Sequence, residues 1–164
     1  MNRGGQIKLS FGMIFSIILI VIFLSFAFYV IQKFLDIKNS VEVGKFVEDL
    51  QNDVDKMWKS SQGSQEREYL ISSKVEQVCF IDYDSAGRGE NSGLYQELKQ
   101  VYYGDENVFF YPVGSGNGLD TKEIKHLNIE KITQEKNPYC IKSQKEKINV
   151  TISKNFSEDL VQIE

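Results

Sequence analysis

The sequence predicts an α+β protein: one long N-terminal helix, transmembrane first and amphipathic after, followed by a small β-rich head domain. Three observations carry that expectation. An uncharged apolar run extends from Leu9 to Ile31, apolar residues then recur at steps of three or four as far as Met57, and the remainder breaks into short β-branched and aromatic runs between glycine-bearing loops. The expected divisions are a cytoplasmic tail over 1–8, a transmembrane helix over 9–31, an amphipathic extension over 32–60 and an extracytoplasmic head over 61–164.

The apolar run is 23 residues long and its only polar side chains are Ser10, Ser16, Ser25 and Tyr29. At ~1.5 Å per residue such a helix spans ~34 Å, enough for a hydrocarbon core of ~30 Å. A cleaved secretory signal has an apolar region of only ~7–15 residues before an A-x-A-like exit, so a retained anchor in the lipid bilayer is expected. Arg3 and Lys8 precede the run with no acid before Asp36, whereas Lys33, Lys38 and Lys45 on the far side are diluted by Asp36, Glu42, Glu48 and Asp49. The positive-inside rule then keeps the N-terminus in the cytoplasm and puts the C-terminal domain outside, in the cell membrane or on a cell-surface filament.

Beyond the anchor the stripe runs Phe34, Ile37, Val41, Gly44, Val47, Leu50, Val54 and Met57, with charged residues opposite. No proline occurs before Pro112, so one helix from about Ile7 to about Lys59, ~80 Å long, is expected. Gly44 is its weak point, at ~1 kcal/mol if exposed. The polar run Ser60–Gln65 ends it, with Gly63 as a terminating residue. Trp58, the one tryptophan, stands at the end of the stripe, where it can anchor the helix to the head.

In the head, Lys74–Asp82 predicts a strand, Asp84–Gly93 a polar loop, Leu94–Tyr103 a short helix and Asn107–Val113 an aromatic strand. Gly114–Gly118 predicts a turn, His126–Thr133 a strand, Tyr139–Ser143 with Lys147–Ser153 a hairpin, and Ser157–Ile163 a helical turn or an edge strand. Cys79 and Cys140 outside the cytoplasm predict a disulfide joining the first head strand to a late one, worth ~4 kcal/mol in the chain-entropy model; two buried free thiols are the alternative. Asn149 and Asn155 open N-x-S/T triplets, candidate glycosylation sites on an exterior domain.

Residues from Lys33 onward carry 17 basic against 23 acidic side chains, about −6, with the basic ones scattered. That distribution argues against a nucleic-acid partner and against a polybasic lipid-binding surface. The sequence names no small-molecule ligand. The one histidine, His126, has no Ser, Cys or Asp near it in sequence to form a catalytic pair, and cysteines 61 apart lack zinc or redox spacing. No catalytic residue, cofactor or metal site is therefore expected. Asp82-Tyr83-Asp84-Ser85-Ala86-Gly87 matches the opening of a calcium loop, but Ala86 and Gly93 stand where later ligands belong, and Asx turns account for the same residues. Gly114–Gly118 can cradle an anion but opens no helix.

Arg3-Gly4-Gly5-Gln6 has the basic-then-glycine form of a prepilin-peptidase site, followed closely by an apolar segment. With the long two-part helix and the β-rich head, the chain resembles a type IV pilin-like protein, most like the archaeal kind. The resemblance implies processing after Gly5 or Gly4, which leaves Gln6 or Gly5 at the new N-terminus. It also implies a non-enzymatic structural or assembly role, with self-association or partner helices packing along Phe34, Ile37, Val41, Val47, Leu50, Val54 and Met57. The sequence departs from that pattern in Lys8, which delays the apolar run, and in Ser10, which stands where bacterial pilins have a glutamate. A membrane-tethered module binding a ligand or partner through Phe109, Phe110, Tyr111, Tyr102 and Tyr103 is the competing expectation, and an anchored enzyme a third.

Overall fold

The structure, a computed structural model, describes residues 11–164. The chain divides into two compact units, Met1–Ile37 and Lys38–Glu164. The α+β architecture expected from sequence is present: helix α1 spans Phe11–Lys59, and the strands and short helices follow it. The start of the helix near Ile7 lies outside the described residues.

In the first unit every large apolar side chain from Phe11 to Ile37 is exposed. The hydroxyls of Ser16 and Ser25 within the apolar stretch need no water. Ser16 donates to the Gly12 carbonyl at 2.9 Å and Ser25 to the Val21 carbonyl at 2.8 Å, the i−4 arrangement that lets serine sit in an apolar medium with its donor satisfied.

The second unit holds the rest of α1 and two antiparallel sheets. One sheet runs in the order β1 (Gly63–Leu70), β6 (Lys147–Lys154), β7 (Gln162–Ile163). The other runs β4 (Thr121–Lys122), β3 (Val108–Tyr111), β2 (Gln77–Phe80), β5 (Tyr139–Lys142). Alternation decides the faces. Val78, Phe80, Val108 and Phe110 join α1 residues in the larger core, whereas Cys79, Ile81 and Phe109 face the other way. There Tyr95 and Leu98 of helix α2 (Ser92–Lys99) cover them. Burial on both faces is why Val78–Ile81 is an unbroken apolar run rather than an alternating one. Strand β6, by contrast, buries Ile148, Val150 and Ile152 and turns the residues between them outward.

Three sequence expectations are corrected here. Strand β1 occupies Gly63–Leu70, so Gly63 opens a strand rather than closing the helix, and Lys74–Asp82 is not the first strand of the head. The segment His126–Thr133 is not a strand. Asn128 accepts a hydrogen bond from the Lys131 amide through its side chain and caps the single-turn helix α3 (Ile129–Ile132). Finally, Tyr139–Ser143 and Lys147–Ser153 do not form a hairpin ladder: β5 pairs with β2, and β6 pairs with β1 and β7. A lone bridge between Gln144 and Lys147 closes the turn that links the two sheets.

Candidate functional site

The long helix is the feature from which any function must be built, and its stripe differs from the one read in the sequence. Buried on α1 are Asn39, Val43, Phe46, Leu50, Asp53, Val54 and Met57. Leu50, Val54 and Met57 belong to that face as expected and Val47 lies half-buried at its margin, but Phe34, Ile37 and Val41 are 67%, 62% and 62% exposed. The reason is angular. Three successive steps of three, from Val41 through Gly44 and Val47 to Leu50, each fall about 60° short of a full turn, so Val41 lies about 180° from Leu50. Val43 and Phe46, absent from the expected stripe, hold its place. The Phe46 ring meets Tyr69 and Phe110 edge to face, at centroid distances of 5.5 and 5.8 Å.

Polar contacts fix the seat of this helix segment at several levels. Asn39 accepts from the Ser72 hydroxyl at 2.9 Å, both residues being buried. The Asn117 side chain donates to Ser40 at 2.7 Å. Asp53 takes the Tyr69 hydroxyl at 3.0 Å and ion pairs with Lys56 and Arg67. Burial first, then the Asp53 carboxylate, holds the Tyr69 phenol well above its ordinary range, so it remains the donor. Gly44 is not an exposed weak point: a Cβ there would rest 3.7 Å from Leu119.

At the end of the helix Trp58 anchors it as expected, through a partner the sequence left unpaired. The Trp58 and His126 rings stack with centroids 3.8 Å apart and planes 3° from parallel. The His126 Nδ1 lies 3.0 Å from an Asp55 carboxylate oxygen. Gln51 completes the contact, accepting from the Lys125 amide at 2.8 Å and donating to Asp55 at 2.7 Å. Asp55 and His126 are 71 residues apart, which is why nothing near His126 in sequence pointed to a partner.

The remaining site residues fall as follows. Cys79 and Cys140 are disulfide-bonded and face each other directly across the β2–β5 register, so the alternative of free thiols is excluded. The bond joins the second strand of the head to the fifth. Asn149 is exposed in the middle of β6, opposite Glu68, whereas Asn155 is exposed in the turn after it. Of the aromatic set, Phe109 and Phe110 are fully buried, which removes them from any binding surface; Tyr103 is exposed. Gly4, Gly5 and Gln6 lie outside the described residues.

The loop Gly114–Gly118 does cradle an anion, and it is the chain's own: the amides of Gly114 and Gly116 both donate to the Asp120 carboxylate at 2.9 Å. The Asp82 loop makes the Asx turn, the Asp84 amide donating to the Asp82 side chain at 3.0 Å. Among the described residues no group of three or more His, Cys, Asp or Glu side chains is placed to hold a metal ion. A groove of about 480 Å³ opens beside Tyr83 and Tyr102, bordered by Asp84, Asp105, Glu106 and Glu130. Its two tyrosine rings lie with centroids 3.9 Å apart and planes tilted by 32°, and one oxygen of Glu106 is buried there without a hydrogen-bond partner among the described residues. Among the described residues one helix, near the N-terminus, is thus long and apolar enough to cross a membrane, and none of its 18-residue apolar window is buried. No family model, curated protein or solved structure matches the chain.

Proposed function

We propose that the protein is a single-pass membrane-anchored structural or assembly subunit of the type IV pilin-like kind, with no catalytic activity of its own. The observation that carries this reading is the wholly unburied apolar half of α1. Side chains of that number and size need lipid or other helices as their solvent. The satisfied hydroxyls of Ser16 and Ser25 agree with such a medium. The disulfide agrees with a head on the oxidising side of the membrane and an N-terminus in the cytoplasm. In this reading the helix residues open to a second copy or a partner helix are the exposed ones, Phe34, Ile37 and Val41 among them, and not the buried Leu50, Val54 or Met57.

The test is the mature protein from its native host: its N-terminal residue, its intact mass under non-reducing conditions, and its fractionation. Processing to Gln6 or Gly5, with the protein in membranes or filaments, is expected. An intact Met1 together with an absence of filaments overturns the pilin-like assignment, and a full-length chain that is soluble and monomeric without detergent overturns the anchor as well.

A tethered binding module is the second reading, favoured by the groove beside Tyr83 and Tyr102. Its carboxylates fit a cationic partner. If Tyr102→Ala and Tyr103→Ala leave every partner interaction of the native protein intact, this reading is lost.

A further inference from the structure

We propose that Asn155 is the residue on which the head carries an N-linked glycan, and that Asn149, which opens an earlier triplet of the same form, carries none. The proposal rests on the reading of the head as extracytoplasmic, the side on which such glycans are added. It goes further in one respect: both triplets stand on one domain, and the fold treats them differently.

Transfer to an asparagine needs an enzyme to hold its amide and the hydroxyl two residues on at the same time. The triplet must therefore come away from its neighbours as a stretch of accessible chain, which is why acceptors sit in surface loops. Asn149-Val150-Thr151 cannot do so without opening a sheet. It lies in β6, which has β1 on one side and β7 on the other. Asn149, Val150 and Thr151 stand opposite Glu68, Arg67 and Glu66 in the β1 ladder. On the other side the Thr151 and Glu164 backbones exchange two hydrogen bonds, both at 3.0 Å. Val150, the middle residue, is 1% exposed and belongs to the larger core. The exposed Asn149 side chain is thus mounted on a backbone held from both edges and from beneath.

Asn155-Phe156-Ser157 follows the end of the same strand, and all three residues are exposed. The chain turns there, the Glu158 amide donating to the Asn155 carbonyl at 3.0 Å. A turn tip of this kind opens locally without disturbing a ladder. Phe156 is 79% exposed, whereas the other phenylalanines of the second unit are at most 1% exposed, so the middle residue of this triplet is free of the core. The Asn155 side chain hydrogen-bonds the Glu158 carboxylate, which Lys131 and Gln162 also engage. A carboxylate only accepts, so the amide nitrogen of Asn155 is the atom that faces it. After modification that nitrogen keeps one of its two hydrogens and can still donate to Glu158.

The reaction is a glycosyl transfer. Its donor is a sugar chain joined through its anomeric carbon to a polyprenyl phosphate or diphosphate, and its catalyst is a membrane-bound transferase. The Asn155 nitrogen bonds to the anomeric carbon, the bond from that carbon to the lipid phosphate oxygen breaks with its electron pair going to the phosphate, and one amide proton passes to a base of the transferase. Nothing is oxidised or reduced, and the head supplies only the acceptor.

The test uses the full-length protein purified from membranes of its native host. Its non-reduced intact mass and its glycopeptides are determined, and the side occupied by the head is read separately, by protease digestion of right-side-out vesicles. The wild-type mass should exceed that of the processed chain by whole sugar residues, all mapped to Asn155. Asn155→Gln and Ser157→Ala should each lose the whole excess, Ser157→Thr should keep it, and Asn149→Gln should leave it unchanged. Asn149, Asn155 and Ser157 are exposed, so none of these changes reaches the core, and an intact disulfide in the non-reduced mass reports a folded head. A bare Asn155, sugar on Asn149, or an excess that survives Asn155→Gln overturns the assignment, and with the head found outside it does so while leaving the topology standing. A head found on the cytoplasmic side with both asparagines bare overturns the topology and the assignment together.

Discussion

The two halves of α1 are built from the same apolar residue types and meet opposite fates. From Phe11 to Ile37 the phenylalanines, isoleucines and leucines surround the helix and none is buried. From Lys38 to Lys59 the apolar residues that count lie on one face, and Val43, Phe46, Leu50 and Val54 are at most 1% exposed. The difference teaches that what separates an exposed apolar helix segment from a core segment is not how apolar it is but where its polar residues stand. In the lower half Asn39 and Asp53 sit on the buried face and are accepted because Ser72 and Tyr69 meet them. In the upper half the Ser16 and Ser25 hydroxyls turn back onto their own helix.

The largest effect that separates the halves is truncation of a phenylalanine. Phe46→Ala should destabilise the head by about 4 kcal/mol, whereas Phe23→Ala, removing the same atoms from the upper half, should change it by less than about 0.5 kcal/mol. Chemical denaturation in micelles, followed by Trp58 emission, measures both, and equal losses would dissolve the distinction. The next effect runs the other way. Ile20→Lys should cost about 3 kcal/mol of membrane insertion, while a lysine at the exposed Asn52 should be neutral; membrane-fraction yield and carbonate extraction read the difference. The smallest is a gain. Gly44→Ala should stabilise the head by about 0.5–1 kcal/mol, because the new methyl group reaches only ordinary contact with Leu119 while the helix sheds a flexible residue. A loss of stability there would mean that the loop carrying Leu119 cannot give room to a methyl group.

The long helix, the aromatic strand β3, helix α2 and the cysteine pairing were all legible in the sequence, because each rests on a local pattern or on simple counting. Strand β1 was not. Gly63–Leu70 reads as a linker since it lies at a sheet edge and buries only Tyr69, so its composition is polar with no alternation to find. Stripe membership failed for a subtler reason: accepting every step of three lets the reading drift around the cylinder, and only the absolute angle keeps Val43 and Phe46 in view. In His126–Thr133 the capping asparagine was readable, and the β-branched residues beside it outweighed it. The contact between Asp55 and His126 could not be read at all, since two remote segments meet there only after the sheets have formed.

Strand β1 has one further consequence. It pairs with β6 alone, so its other side ends the sheet, and eight residues of backbone are available to any neighbouring chain that presents a strand. Copies of a protein held at high local density present such edges to one another, the condition under which an edge nucleates cross-β stacking. Glu66 and Glu68 project outward from that strand, with Lys147 paired to Glu68 at 2.6 Å. Two such edges brought side by side would have to bury or oppose those charges, which disfavours edge-to-edge pairing of the strand that looked least like one in the sequence.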